Sequence, residues 1–138
     1  MLLIWKGKMF IHEGFAREIE AGDPNLRIRT ILEFIFDSVQ EDPEFWELFY
    51  SLRSQPAVMS VLGDQFRRWT SQLRELFSEN FREAGWKDPE LVAYILCSLI
   101  DGTIQQYLMN PTAYPLPTVV DRMIRQYSTP PHPKRSRG

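Results

Sequence analysis

Cysteine is nearly absent from this chain of 138 residues: Cys97 stands alone, and histidine occurs only as His12 and His132. A lone cysteine inside an apolar run rules out an internal disulfide and fits a reducing cytoplasm. Histidines near opposite ends give no support to a two-histidine metal site or a Ser/His/Asp arrangement. There is no G-x-G-x-x-G and no phosphate loop. The acidic pairs Asp42 with Glu44 and Asp88 with Glu90 flank prolines and are explained by helix capping. The chain therefore calls for no catalysis, no metal and no cofactor.

Long apolar runs and basic stripes are missing too. No continuous run approaches the roughly 18 apolar residues that cross a bilayer, and the apolar start before Lys6 is too short for a signal peptide. The expectation is a cytoplasmic protein with no membrane part. Of the 16 basic residues, Lys134, Arg135 and Arg137 sit in the last eleven positions, leaving residues 1–127 with 13 basic against 18 acidic, a balance of −5. Without a stripe of Lys and Arg, direct binding of a phosphate backbone by this acidic body is disfavoured. No convincing strand can be found.

What is present is greasy and helical. A hydrophobic content of 43% with 13% aromatics describes one folded domain whose side chains suit concave, ligand-sized spaces as well as dense cores. The dominant element is residues 56–84, a helix of about eight turns. Val58, Met59, Leu62, Phe66, Trp69, Leu73, Leu76, Phe77 and Phe81 recur along it at helical spacing, with Pro56 in the first turn and Gly85 just past the end. Its length and its large aromatics make it a candidate pocket wall.

Around it the chain predicts helices over 9–21, 25–41, 45–53, 91–108 and 115–127. In 25–41, Ile28, Ile31, Leu32, Ile35, Phe36 and Val39 share a face that Phe34 leaves. Residues 45–53 are apolar almost all round, which predicts a sandwiched helix. The apolar residues of 91–108 cover well over half of the wheel, more than one neighbouring layer requires. The tail 128–138, with Pro130, Pro131 and Pro133, cannot build a core and is expected to be disordered.

Several residues keep two readings. Core packing competes with cavity lining for Phe45, Phe49, Phe66, Trp69 and Phe77. Arg53 suits a helix C-terminus or an acidic ligand. Asn80 lies on the apolar stripe, where an unpaired amide costs about 1–3 kcal/mol; it reaches water or touches a ligand. Tyr94, Ser98, Asp101 and Gln105 form either a solvated face or the polar part of a pocket or seam. Gly102 costs its helix about 1 kcal/mol against alanine, which suggests close approach of another helix.

The order Phe34-Ile35-Phe36-Asp37-Ser38-Val39, Asp42-Pro43-Glu44-Phe45-Trp46, Leu48-Phe49-Tyr50-Ser51-Leu52, Gln65-Phe66-Arg67, Leu76-Phe77, Leu99-Ile100-Asp101-Gly102 and Val119-Val120-Asp121-Arg122 resembles the C-terminal, ligand-sensing and dimerising domain of TetR-family transcriptional regulators. The resemblance implies an all-α domain of about six helices over 9–127, in which the helices up to about residue 84 enclose a small apolar or aromatic effector. The last two helices would form a four-helix bundle with a second copy, making a homodimer. It places the ligand against Phe45, Phe49, Arg53, Phe66, Trp69, Leu73, Phe77 and Tyr94. It places the dimer interface at Leu96, Leu99, Ile100, Gly102, Tyr107, Val120, Met123 and Ile124. DNA would be read only through a helix-turn-helix head for which this chain has no space, residues 1–8 being its remnant or linker. The alternative is a headless interaction protein that pairs with a full-length regulator.

Overall fold

The computed structural model describes residues 22–131. Five helices make up that span: α1 Pro24–Glu41, α2 Pro43–Arg53, α3 Pro56–Glu83, α4 Pro89–Met109 and α5 Leu116–Tyr127, with no strand among the described residues. The helix expected over 9–21 and most of the tail fall outside the described residues.

Every one of the five helices carries a proline in its first turn, where the missing N–H has no partner to lose. Asp23 accepts from the Asn25 N–H at 3.0 Å, and Asp42 from the Phe45 N–H at 3.2 Å. Asp88 breaks the expected pattern. It makes no capping hydrogen bond through its side chain and takes a left-handed φ of 52°. The residue before a proline is kept from the right-handed helical region, and the chain must reverse within a few residues here. Asp88 therefore serves the turn, at a cost of about 1–2 kcal/mol, instead of the cap.

The other half of that turn closes α3. Gly85, at φ 88°, sends its N–H to the Arg82 carbonyl at 3.1 Å, and the Trp86 N–H reaches the Phe81 carbonyl at 2.9 Å. This is a Schellman closure, which satisfies two otherwise orphaned carbonyls. It brings Trp86 to 4.9 Å from the Phe81 ring and 6.1 Å from Tyr127 of α5.

After the turn, α4 runs antiparallel to α3: Arg82 meets Glu90 at 3.4 Å, and further along Arg74 lies 4.3 Å above the Tyr94 ring. α1 crosses the other side of α3 and buries the predicted Ile28, Ile31, Leu32, Ile35, Phe36 and Val39, with Phe34 half-buried against the same core. Arg27 ties the start of α1 to the end of α3. Its guanidinium donates to the Gly22 carbonyl at 2.9 Å, Asn80 Oδ1 at 3.0 Å and Glu83 Oε2 at 2.8 Å. Asn80 is thereby answered from within the chain, its own amide donating to the Leu76 carbonyl at 2.8 Å. Neither water nor ligand is needed to explain it.

α2 departs from expectation. Phe45, Trp46 and Phe49 are buried, but Leu48 is 51% exposed, and Glu44, Glu47 and Ser51 share the outer side with it. The helix is an outer wall, not a sandwiched element. Its inner edge is pinned to α1 by a buried hydrogen bond from Trp46 Nε1 to Ser38 Oγ at 3.1 Å.

α4 is long and apolar enough to cross a bilayer by length and composition. In this fold one face of it is buried through Ala93, Leu96, Ile100, Thr103 and Ile104. The opposite face is left outside.

Phe77 is fully buried, so Phe77→Ala is expected to cost about 3–5 kcal/mol. Leu48→Ala on the outer side of α2 should stay within about 0.5 kcal/mol. Urea titration followed by circular dichroism checks both, and a Phe77→Ala midpoint close to that of the parent chain would contradict this core.

Candidate functional site

A cavity of about 50 Å³ lies between α2, α3 and α4, with Ile35 of α1 at its inner side. Trp46, Phe49, Tyr50 and Arg53 face it from α2, and Cys97, Ile100, Asp101 and Ile104 from α4. Both sets follow one spacing, i, i+3, i+4, i+7, which is a single helical stripe. Trp69, Thr70 and Leu73 close the third side from α3.

The walls are mostly apolar, with Trp46, Phe49, Tyr50 and Trp69 as their aromatic part. Phe49 stands at 5.8 Å from Trp46 and 5.2 Å from Tyr50, both edge-on, the arrangement that ring quadrupoles favour. Behind the lining, Phe66 bridges Phe49 and Trp69 at 5.5 Å from each.

One polar cluster interrupts the apolar lining. The Tyr50 hydroxyl donates to Asp101 Oδ1 at 2.8 Å, and Arg53 Nη1 donates to Asp101 Oδ2 at 3.3 Å. The Arg53 guanidinium also lies over the Tyr50 ring, 4.7 Å from its centre. Burial first, then the Asp101 carboxylate by charge and hydrogen bond, push the Tyr50 hydroxyl far above its ordinary range, with Arg53 opposing. Tyr50 is thus a fixed donor. Arg53 and Asp101 are 28% and 39% exposed, so their ion pair faces solvent at the rim.

Cys97 sits deeper. Burial, helped by Asp101 and opposed by Arg74, raises its thiol from 9.0 to about 11. Among the described residues no three His, Cys, Asp or Glu side chains could hold a metal ion together.

α4 shows a second face on the side away from the cavity. Leu91, Ile95, Leu99 and Met109 are exposed there, and a Cβ placed on Gly102 would meet open space. Positions 91, 95, 99, 102 and 109 fall within about a quarter turn of one another on the wheel.

Residues 24–128 match the family described as BetI-type transcriptional repressor, C-terminal. The chain belongs to this family. No curated protein matches it, and no solved structure does. The TetR-type assignment fits the all-helical architecture, and it associates the domain with transcription regulation.

Within this BetI-type domain, the structure sorts the residues named from sequence. Phe49, Arg53, Trp69 and Leu73 line the cavity. Phe45 and Phe66 stand behind it as buttresses, Phe45 packing edge-on against Trp46 at 5.5 Å. Phe77 lies elsewhere in the core, stacked on Phe81 at 6.2 Å, because it falls two turns beyond Trp69 on a helix that outruns the cavity. Tyr94 lies outside, in a charged groove between α3 and α4 with Arg74, Glu75, Ser78, Glu79, Arg82 and Glu90.

The face named for dimerisation divides in the same way. Leu96, Ile100 and Met123 are buried in the chain's own core, since they point toward α3 or α1 and not outward. Leu99 and Gly102 are exposed, while Tyr107, Val120 and Ile124 are half-buried. Sequence reasoning missed Trp46, Tyr50 and Cys97 as lining residues, and it left Asp101 between a solvated face and a pocket. The matching spacing on α2 and α4 was the signal that could have found them.

Because the folded state holds the Cys97 proton up to about 11 instead of 9.0, its contribution to stability is whole below that lower value and fades as pH rises through the higher one. The rate of Cys97 alkylation by iodoacetamide should accordingly climb about tenfold per pH unit with the thiolate fraction. No levelling is expected at 9.0, the ordinary thiol value. A plateau there would contradict the burial.

Proposed function

We propose that this domain senses a small, mainly apolar molecule in the cavity between α2, α3 and α4. It pairs with a second copy through the outer face of α4 together with α5, forming a four-helix bundle. Binding in the cavity changes how the two subunits sit, and so how two DNA-reading heads are spaced; the effect is a coupling between sites and involves no catalysis. DNA reading belongs to the helix-turn-helix head of the regulator, and none of the described residues is given that role.

One observation carries the reading: α4 has Ile100, Asp101 and Ile104 on the cavity and Leu91, Ile95 and Leu99 exposed on the other side. A soluble domain that leaves such a row uncovered has a partner for it. The open space at Gly102 suits a closely approaching helix. The apolar, aromatic lining suits a greasy ligand, and the present volume of about 50 Å³ is well below the roughly 300 Å³ at which ligand sites begin. The walls must therefore move apart to admit one.

Two measurements test this. In sedimentation velocity over a wide concentration range, the chain should form a dimer that Leu99→Glu splits; a monomer at every concentration would remove the pairing. The fluorescence of N-phenyl-1-naphthylamine should rise on binding, with Thr70→Trp, which fills the cavity, weakening that binding about tenfold. Equal binding by both proteins would end the ligand reading.

A further inference from the structure

We propose that Tyr50, Arg53 and Asp101 form a latch that holds α2 shut against α4 and must release when a molecule enters the cavity. The inference rests on the sensing role and names the contact through which that role would act.

The cavity is too small for an effector as it stands, so one of its walls has to give. α3 and α4 share the central seam, and α1 is fixed by the buried face from Ile28 to Val39 and by the Arg27 tie to Asn80 of α3. α2 is the thin wall. It has 11 residues, carries an outer side of Glu44, Glu47, Leu48 and Ser51, and is held between the single residue Asp42 and the pair Ser54-Gln55.

Its two ends are held differently. At the start, the Asp42 cap and the buried Trp46–Ser38 hydrogen bond tie α2 to α1 within the core. Toward the far end, the polar ties to α4 are the Tyr50 hydroxyl at 2.8 Å and the Arg53 guanidinium at 3.3 Å, both on Asp101. The first end has one buried polar tie, Trp46 to Ser38. The second meets solvent, where an ion pair is screened and weak and Arg53 can exchange Asp101 for water.

Entry of a ligand between the stripes of α2 and α4 loads this second end first. Tyr50 and Arg53 swing away with α2, and Asp101 remains on α4. Since α4 also carries the exposed row through Leu99, the break is felt on the helix that presents the outer face. While the latch is shut, apparent affinity falls by the fraction of molecules that are open.

Cys97 supplies a reporter that needs no ligand. It is the only cysteine of the chain, is half-buried and lines the same cavity as the latch. Tyr50→Phe, which removes one oxygen, and Arg53→Met, which keeps the stem, should each raise alkylation of Cys97 by roughly tenfold as the open population grows. Their melting profiles should match the parent's, so that global unfolding is not the route. Arg82→Gln, which breaks an ion pair outside the cavity, should label at the parent rate. Asp101→Asn is avoided because that carboxylate itself raises the thiol's pKa.

Labelling of both Tyr50→Phe and Arg53→Met at the parent rate would overturn the latch. Faster labelling with no binding of N-phenyl-1-naphthylamine would uphold the latch and refute sensing. Binding of that probe with unchanged labelling would refute the latch and leave sensing in place.

Discussion

The antiparallel seam between α3 and α4 is the contact on which the other elements depend. It gives α1 and α5 a surface to cover and gives α2 two helices to bridge. The seam exists because the chain reverses tightly between them, with Gly85 and Asp88 both at positive φ. Glycine accepts that geometry freely, while Asp88 does so under strain. The Schellman closure adds Trp86 to Phe81 and Tyr127, so the turn is also where α5 is fastened.

Three sets of polar contacts tie helices together within this apolar body. Arg27 serves Asn80 and Glu83, Trp46 serves Ser38, and Tyr50 with Arg53 serves Asp101. Each joins two helices, so register is fixed at three separate places by hydrogen bonds that apolar packing could not specify. They differ in wetness. Trp46–Ser38 is buried, whereas the Arg53–Asp101 pair is rim-exposed. Proximity to water separates contacts that hold from contacts that can open.

Much of this was legible in the chain. Pro43, Pro56 and Pro89 marked the starts of α2, α3 and α4, and the inward face of α1 followed from Ile28, Ile31, Leu32, Ile35, Phe36 and Val39. The family resemblance, carried by the order of short segments, agrees with the family match over residues 24–128. Other features were out of reach. Periodicity shows how wide an apolar stripe is but not how far a helix extends past its neighbours. Leu48 therefore read as buried and Phe77 as lining, and a single wheel could not assign Leu96 inward and Leu99 outward. Asp101 sat in a polar line with Tyr94, Ser98 and Gln105, and nothing local distinguished the one residue that meets α2. That distinction needs the partner helix.

The tight turn between α3 and α4 also bears on the order in which the domain can assemble. Pairs such as Arg82 with Glu90 and Arg74 with Tyr94 are close in sequence, so bringing them together closes small loops at low entropic cost. The packing of α5 against α1 joins nearly opposite ends of the described chain. By the ordinary relation between contact order and speed, the helical hairpin is the natural nucleus and the α1–α5 closure comes late. The cavity, which needs α2 laid over a finished hairpin, is then among the last features to form and among the first to loosen.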